Sequence, residues 1–519
     1  MRRGLPFVAL LLSFIVTILV SCNNADKTHT PTIEELQSWV CPDYTVDGKS
    51  IANELKHSSE VWPQHMYADA YTHRHYQHED ARLLWINRMG VNRQADTLMQ
   101  YLAKADEMGF SPQIFTLDTL QAMVDSVRSY RLSGQKAGEV LGRIEFLLTR
   151  AYMRYVCGQR YGFIKPRQVF NHLLVDQPAA GETRRTTIYR QIFDMPVEQP
   201  TDSFANVALE RLQNYQLSSF LRSVEPTDTL YRLMHREYTV AKQNGDTTRQ
   251  RLARINMERA RWRYPHPSGG RYIFVNLAAQ KLTAVDTQRD TTTTMLVCCG
   301  NSTHKTPLLH SAINHVELNP YWVIPQTIVR KEIMPRHVGD SAYYARNRYR
   351  AINKDTKEEV DPSTLTAEEL RSARYTLRQD RGAGNSLGRI IFRFPNSFSV
   401  YLHDTNNHGA FQYANRAISH GCIRVERPYD LALFFLENPT PFFIDRIRIA
   451  IDREPLTAEG RRYKENNPDA KKMPSFAYQT PVNLWLDYWT LYPTPDGHME
   501  SHPDNYGYDR VIEKILNSY

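Results

Sequence analysis

The spacing of apolar residues predicts a helical first half for this 519-residue chain. Between about Ile33 and Asn214, apolar side chains recur every three or four residues, which is the period of one helix face. Two stripes carry this pattern most clearly: Leu98, Tyr101, Leu102, Ala105 and Met108 in the first, and Leu141, Ile144, Leu148, Ala151, Tyr152 and Tyr155 in the second. Gly109, directly after the first stripe, is expected to end its helix. We predict a helical domain at residues 49–215 and a connecting helical segment at 216–268.

The second half is dominated by short runs of β-branched and aromatic residues, which predict strands. These runs lie at residues 272–277, 295–297, 390–392 and 400–402. We therefore expect a β-rich domain at 269–453 and assign the fold class as α+β. Within it, residues 330–380 form a polar insert rich in Arg and Tyr, whose length is typical of a functional cap. Residues 454–519 are expected to be a C-terminal extension, where alternating side chains at 482–489 predict one half-buried strand.

The N-terminus has the pattern of an export signal. Arg2 and Arg3 precede an apolar run from Leu5 to Val20, whose sixteen residues are too few to span a bilayer as a helix. The segment Leu19-Val20-Ser21-Cys22 resembles a bacterial lipobox, which implies that the signal peptide at residues 1–22 is cut directly before Cys22, so that a lipidated Cys22 becomes the mature N-terminus. An ordinary secretory signal with an incidental cysteine is the alternative. We expect residues 23–48 to tether an exported lipoprotein, anchored in a membrane of the cell envelope and facing the periplasm.

Composition narrows the class of protein further. The 41% hydrophobic content excludes a disordered chain. The net charge is +8, but the sequence contains no run of five consecutive Lys or Arg residues, so no nucleic-acid partner is predicted. The six cysteines are too few for a disulfide framework and form no CxxC pair, and Gly382-Ala383-Gly384 lacks the lysine of a phosphate-binding loop. No metal or cofactor is therefore predicted.

Candidate chemistry is concentrated in two short segments, at residues 401–405 and 419–424. A free cysteine has a pKa near ~8.5, and a neighbouring imidazole can accept its proton, so Cys422 is a candidate nucleophile. Gly421 permits a tight turn that directs backbone N–H groups at a reacting carbonyl, and Arg424 supplies a fixed cation. A lone cysteine is more often a small buried apolar residue, but the Ser-His-Gly-Cys-Ile-Arg context argues against that interpretation here.

This pattern resembles the signature of the L,D-transpeptidases, a YkuD-type family that cross-links bacterial peptidoglycan. In that family a histidine precedes Ser/Thr-His-Gly-Cys by about fourteen to seventeen residues. His403 leaves fifteen residues before Ser419 (404–418), whereas His408 leaves ten (409–418), so the spacing selects His403 as the proton donor and acceptor. The resemblance implies that Gly421 contributes backbone to an oxyanion hole, Arg424 stabilises the site and His420 forms part of its wall.

The resemblance extends over most of residues 50–510 and is to the larger branch of the family, in which a helical scaffold domain precedes the catalytic domain. That branch often carries a small peptidoglycan-binding module between the two domains, and the sequence has no clear counterpart of it.

The resemblance implies an enzyme that takes peptidoglycan stem peptides as donor and acceptor. Cys422 would form a thioester with the third residue of a tetrapeptide stem, releasing D-Ala, and an amine of a neighbouring stem would resolve it. Tyr401 and Asn385 are expected to line the donor cleft, although ordinary strand packing explains either residue equally well. Two alternatives use the same fold: a carboxypeptidase or amidase in which water resolves the thioester, and a wall-binding lipoprotein without activity. The acceptor amine stays open between diaminopimelate, lysine and a cross-bridge.

Overall fold

The computed structural model describes residues 40–41, 46–78, 81–87, 90–129, 137–172, 191–265, 269–372, 374–467 and 475–518. The predicted signal segment, the lipobox cysteine Cys22 and most of the tether therefore lie outside the described residues. No helix within the described part of the chain is long and apolar enough to cross a membrane.

The N-terminal domain is built around one long helix, Ala137–Tyr161, which is buried on nearly every face. The other elements of this domain are the helices Gly48–Val61, Tyr67–Gln77, Arg93–Ala103, Leu117–Arg128, Pro166–Asn171, Asp202–Gln213 and Leu217–Ser223, and the short strands Val40–Cys41, Val46–Asp47, Ile86–Asn87 and Gly90–Val91. Both predicted stripes lie in its core. Gly109 has the left-handed conformation, with φ of 73°, and ends the 3₁₀ turn Ala105–Met108, which confirms its predicted role.

Two antiparallel helices connect this domain to the sheet. They are Thr229–Gln243 and Thr247–Arg261, and the carboxylates of Asp228 and Asp246 cap their first turns. The second helix is fixed to the N-terminal domain by Glu258, whose buried carboxylate accepts hydrogen bonds from the N–H groups of Phe163 and Ile164, at 2.8 and 2.9 Å. The two domains are therefore joined by buried polar contacts.

A ten-stranded mixed sheet forms the second domain. Its hydrogen-bonded order is Ile390–Arg393, Leu402–His403, Ile423–Val425, Thr291–Gly300, Lys281–Asp286, Arg271–Asn276, Ser475–Asp487, Leu308–Leu318 and Phe193–Asp194, with Ala417–Ser419 pairing beside Thr291–Gly300. The strand Leu308–Leu318 also pairs with Ile390–Arg393 and so closes the ring of strands. One face of the sheet covers the main hydrophobic core, together with the helices Pro428–Phe434, Pro441–Ala450 and Tyr508–Asn517.

The C-terminal residues, which were predicted to be an extension of the second domain, contribute a central strand to its sheet. The strand Ser475–Asp487 lies between Arg271–Asn276, to which it is parallel, and Leu308–Leu318, to which it is antiparallel. The predicted strand is thus present, but it is central, and the boundary placed at residue 453 does not coincide with an edge of the sheet. A helix, Ala458–Asn466, and a hairpin of Leu491–Pro493 with Met499–Ser501 complete this region.

The polar insert folds into a small unit with its own core. Four strands pair in the order Trp322–Val323, Tyr375–Gln379, Tyr349–Asn353 and Glu359–Val360, beside the helical segments Gln326–Ile328, Val329–Ile333, Met334–His337, Ser341–Asn347 and Ala367–Arg371. Its apolar cluster includes Ile324, Tyr344 and Leu377. The insert therefore begins a few residues before the predicted position, and we call residues 322–379 the cap.

Candidate active site

The register of two parallel strands brings the predicted catalytic residues together. Leu402 is paired with Ile423, and both side chains are fully buried in the core. His403 is paired with Arg424, so these two side chains point to the opposite face of the sheet. Cys422 lies two positions before Arg424 and therefore shares that face, roughly 6–7 Å along the strands from the His403 level.

The Cys422 thiol is held in its protonated form. Burial raises its pKa to about 11, although the hydroxyl and backbone N–H of Tyr401 and the cations of Arg424 and Arg393 act in the opposite direction. Burial, together with the neighbouring Cys422 sulfur, raises the pKa of Tyr401. Arg393 lies over the Tyr401 ring at 5.4 Å and pairs with Glu317 at 2.7 Å. Tyr401 thus lies against the Cys422 sulfur, and its predicted place in a donor cleft stays a prediction.

His403 is held neutral by the same low-polarity environment. Its side chain is buried, and burial together with the Arg424 cation lowers its pKa to about 3, while the carbonyl groups of Asp404 and Leu387 favour protonation. Among the described residues, its Nδ1 atom has no hydrogen-bond partner. A buried, unpartnered imidazole nitrogen in its neutral form is what a proton acceptor requires.

Near neutral pH the Cys422 thiol and the His403 imidazole are therefore both uncharged. An ion pair of Cys422 thiolate and imidazolium was compatible with the sequence, but in the structure burial disfavours charge on both Cys422 and His403.

The turn that carries Cys422 is fixed by hydroxyl groups. Ser419 donates a hydrogen bond from Oγ to the carbonyl of Cys422, at 2.6 Å, and accepts one from the Gly421 N–H, at 3.2 Å. Gly421 has φ of +119°, a conformation that side chains rarely adopt, which explains the glycine. The Gly421 N–H, which was predicted to contribute to an oxyanion hole, thus already donates its hydrogen bond to Ser419. The N–H groups of His420 and Cys422 have no backbone or side-chain partner in the described part of the chain, so they are the donors of this turn that remain open to a bound group.

Arg424 has an Nε atom that is buried without a hydrogen-bond partner among the described residues. The half-buried guanidinium lies between His403 and Cys298, which is its partner on the next strand. Its position lowers the pKa of both Cys422 and His403, so it favours the thiolate and opposes the imidazolium. The role of Arg424 in stabilising the site stays a prediction.

Asn385 does not reach the cleft surface. It is fully buried, and its carboxamide donates to the carbonyls of Pro320 and Asp380, at 3.2 and 2.9 Å, and accepts from the Leu387 N–H at 2.8 Å. Asn385 therefore holds the loop whose Leu387 carbonyl faces His403. The predicted substrate contact gives way to a bracing role, because every polar atom of the carboxamide is used by backbone.

The same loop is fixed from the other side by Asp404. Its carboxylate accepts hydrogen bonds from the N–H groups of Arg389 and Thr405, both at 2.7 Å. Gly388 has φ of +64°, and a Cβ atom there would clash with this carboxylate. Asp404 and Gly388 thus fit each other and position the residues around His403.

The remaining two histidines lie outside the catalytic pair. His420 is 45% exposed, its Nε2 atom lies 2.8 Å from the carboxylate of Glu332 in the cap, and its ring packs beside the His304 ring. It therefore forms the wall where the cap meets the catalytic turn. His408 is 62% exposed, and its Nε2 atom lies 3.7 Å from Asp404.

Three supporting residues escaped the sequence reasoning. Thr306 donates to the Gly421 carbonyl at 2.8 Å, and Tyr506 donates to the Gly300 carbonyl at 2.8 Å while accepting from the Thr306 N–H at 3.1 Å. Glu332 is the third, through its pair with His420. Ser419 was visible in the motif, whereas no local signal marks Tyr506 or Glu332, since both act across long sequence separations.

The fold and the site define a two-domain protein of one family. Residues 270–444 match the family model described as "L,D-transpeptidase catalytic domain" (YkuD), and residues 70–237 match the model described as "Scaffold domain". The chain belongs to the L,D-transpeptidase family, with a helical scaffold domain before a β-rich catalytic domain, as the sequence resemblance predicted.

A relative also matches a large part of the chain. A Haemophilus influenzae protein named "Putative L,D-transpeptidase" is 28% identical over 318 residues, which are 61% of this chain and 60% of the relative. The chain thus aligns with about three fifths of that relative's length.

Proposed function

We propose that this protein is a peptidoglycan L,D-transpeptidase that forms cross-links between third-position residues of stem peptides. The observation that carries the proposal is the pairing of His403 with Arg424 on two parallel strands, with Cys422 directly before one strand and Tyr401, whose hydroxyl contacts the sulfur, directly before the other. Membership of the L,D-transpeptidase family supports the reaction class.

Acylation begins when a donor tetrapeptide stem places the carbonyl of its third residue against the Cys422 sulfur. The S–C bond forms as the thiol proton passes to the unpartnered Nδ1 side of His403, which is neutral and can accept it. The N–H groups of His420 and Cys422 stabilise the oxyanion. The C–N bond then breaks, and the proton on His403 passes to the departing amine of D-Ala, leaving a thioester and a neutral imidazole.

Deacylation uses the same groups in reverse. The side-chain amine of an acceptor stem attacks the thioester carbonyl and gives its proton to His403. The C–S bond breaks, the proton returns to the sulfur, and the product is an amide that joins two stems. Water in place of the amine would give tripeptide, so hydrolysis differs only in the acceptor. The cap, held by the Glu332–His420 pair, covers this side of the site and would limit the access of water.

The reaction is tested by incubating the purified protein with disaccharide-tetrapeptide and identifying products by mass spectrometry. We expect dimers that have lost one D-Ala. Tripeptide alone would favour a hydrolase, and unchanged substrate would favour a wall-binding protein without activity. Cys422→Ala should abolish turnover, whereas Cys298→Ala, which removes a buried thiol from the same sheet face, should retain most of it.

We also propose that the chain is exported and anchored to an envelope membrane, facing the periplasm, through a lipidated Cys22. The basic start, the short apolar run and the lipobox-like residues before Cys22 support this. Labelling cells with a radioactive fatty acid should mark the protein. Cys22→Ala should remove the label and Cys41→Ala should not; a label that survives Cys22→Ala would contradict the anchor.

A further inference from the structure

A groove of about 650 Å³ lies on the catalytic sheet, away from Cys422. Its floor consists of outward-facing side chains of three adjacent strands. The paired positions Phe274, Thr283 and Thr294 form one row across it, and Tyr272 and Val285 form the next. The walls are the hairpin at 491–501 and the start of the helix Thr229–Gln243. This volume is within the range of small-molecule and saccharide sites.

The groove lies on the same sheet face as the active site. Thr294 and Cys298 alternate on one side of the strand Thr291–Gly300, and Cys298 is paired with Arg424. Thr294 and Gly300, which borders the catalytic turn, are six residues apart and hence about 20 Å apart along the strand. The groove and the nucleophile can therefore contact one extended substrate.

Aromatic rings and hydroxyl groups line the groove together. The Phe274 and Tyr492 rings stack at 5.2 Å, and both are only partly buried. Beside them, the hydroxyls of Thr283 and Thr294 have no hydrogen-bond partner among the described residues. Rings suit the C–H faces of a sugar, and free hydroxyls suit its polar edges. The lining is thus amphipathic in the way that a saccharide is.

The charges in the groove favour a neutral ligand. Lys281 pairs with Glu500 at 3.1 Å, and Asp228 adds a second carboxylate at the helix start. His502 lies 4.0 Å from Glu500, and burial lowers the pKa of its imidazole, so it stays neutral near pH 7. One cation against two carboxylates would repel an anionic stem peptide, whereas a glycan backbone carries no charge that would be repelled.

We propose that this groove binds the glycan strand of peptidoglycan and holds it while Cys422 acts on a stem peptide. The inference rests on the proposed function. The third-residue carbonyl of an extended stem lies only about 10 Å from its sugar, at ~3.5 Å per residue. The groove therefore holds sugars further along the strand than the one that carries the reacting stem.

The test is titration calorimetry of the full chain with glycan strands that are stripped of their stems and converted to amides at the lactyl carboxyl groups, so that they carry no charge, and separately with the free tetrapeptide. We expect the stripped strands to bind and Phe274→Ala to weaken binding at least tenfold. Because Phe274 also packs on a core cluster, Thr294→Arg provides a second variant at an exposed position. It should block the groove with a similar loss. Thr292→Arg lies on the same strand and face, outside the groove lining, and should bind like the wild type.

The outcomes separate this inference from the proposed function. Three results would each overturn the glycan groove. The first is that stripped strands do not bind, and the second is that Thr294→Arg and Thr292→Arg bind them equally. The third is that Thr294→Arg, but not Thr292→Arg, binds the free tetrapeptide more weakly than the wild type. Wild-type turnover of disaccharide-tetrapeptide into dimers is measured in parallel. Its absence would refute the transpeptidase reaction, whereas glycan binding that is lost in Thr294→Arg would still uphold the groove.

Discussion

Replacing Tyr401 by phenylalanine tests how the sheet controls the charge of the Cys422 thiol. The change removes only the hydroxyl, which contacts the sulfur, and keeps the ring under Arg393. A hydrogen bond to a charged group contributes about 1.5–3 kcal/mol. At about 1.36 kcal/mol per pKa unit, its loss should raise the thiol pKa by about one to two units.

The wild-type baseline follows from burial. With a pKa of about 11, roughly one Cys422 thiol in a thousand is ionised at pH 8, against about one in four for a free cysteine. Tyr401→Phe should then lower the thiolate fraction, and the rate of alkylation, by a further factor of roughly 10–100 at any fixed pH below about 11.

The assay is the rate of iodoacetamide labelling at Cys422 between pH 7 and 11, measured by mass spectrometry of the peptide that contains it. Tyr413→Phe, at an exposed tyrosine, is the matched control and should follow the wild type. A wild-type midpoint at or below 8.5 would refute the argument from burial. Equal rates for wild type and Tyr401→Phe would show that the hydroxyl does not stabilise the thiolate.

Three further predictions address His403 and its supports. His403→Ala should lower turnover nearly as much as Cys422→Ala does, whereas His408→Ala should lower it only slightly, since His408 is exposed and His403 is buried. The measurement is kcat/KM on disaccharide-tetrapeptide, and the reverse order of the two variants would contradict the assignment of His403. The pKa of His403 is lowered to about 3 in the folded protein, so as the pH falls below about 6.5 the imidazole takes up a proton in the unfolded chain first, and the wild type should lose up to about 1.4 kcal/mol of unfolding free energy per pH unit from this group. In urea unfolding, the free energy of His403→Gln should fall less steeply with decreasing pH. An equal dependence on pH in both proteins would contradict this. Gly388→Ala should destabilise the protein by a few kcal/mol and lower kcat, because the added methyl group would clash with the Asp404 carboxylate. The control Gly497→Ala, which is also at positive φ but in open space, should lose only about 1 kcal/mol in the same unfolding assay. Similar losses for both variants would contradict the importance of the Asp404 contact.

Local patterns predicted much of the fold. The helical stripes, the C-cap at Gly109 and the strands near residues 272 and 390 depend on neighbouring residues, so periodicity was enough to find them. The position of Ser475–Asp487 within the sheet was not predictable in this way, because its partners lie about 200 residues away and its alternation is equally compatible with an edge strand.

The site was predictable where the motif carries it and not where burial decides. Spacing selected His403, and its strand lies beside that of Cys422. The neutral state of the pair, the bracing role of Asn385 and the contact of His420 with the cap depend on what the fold places around them. Residue identity alone contains none of that information.

The most direct measurement of the central claim is the mass of the intact protein during reaction with a tetrapeptide donor. The account predicts a transient adduct equal to the donor minus D-Ala, located by peptide mapping at Cys422 and absent from Cys422→Ala. Free D-Ala should appear with the same rate constant as the adduct. D-Ala release without an adduct, or an adduct on any other residue, would contradict the assignment of Cys422 as the nucleophile.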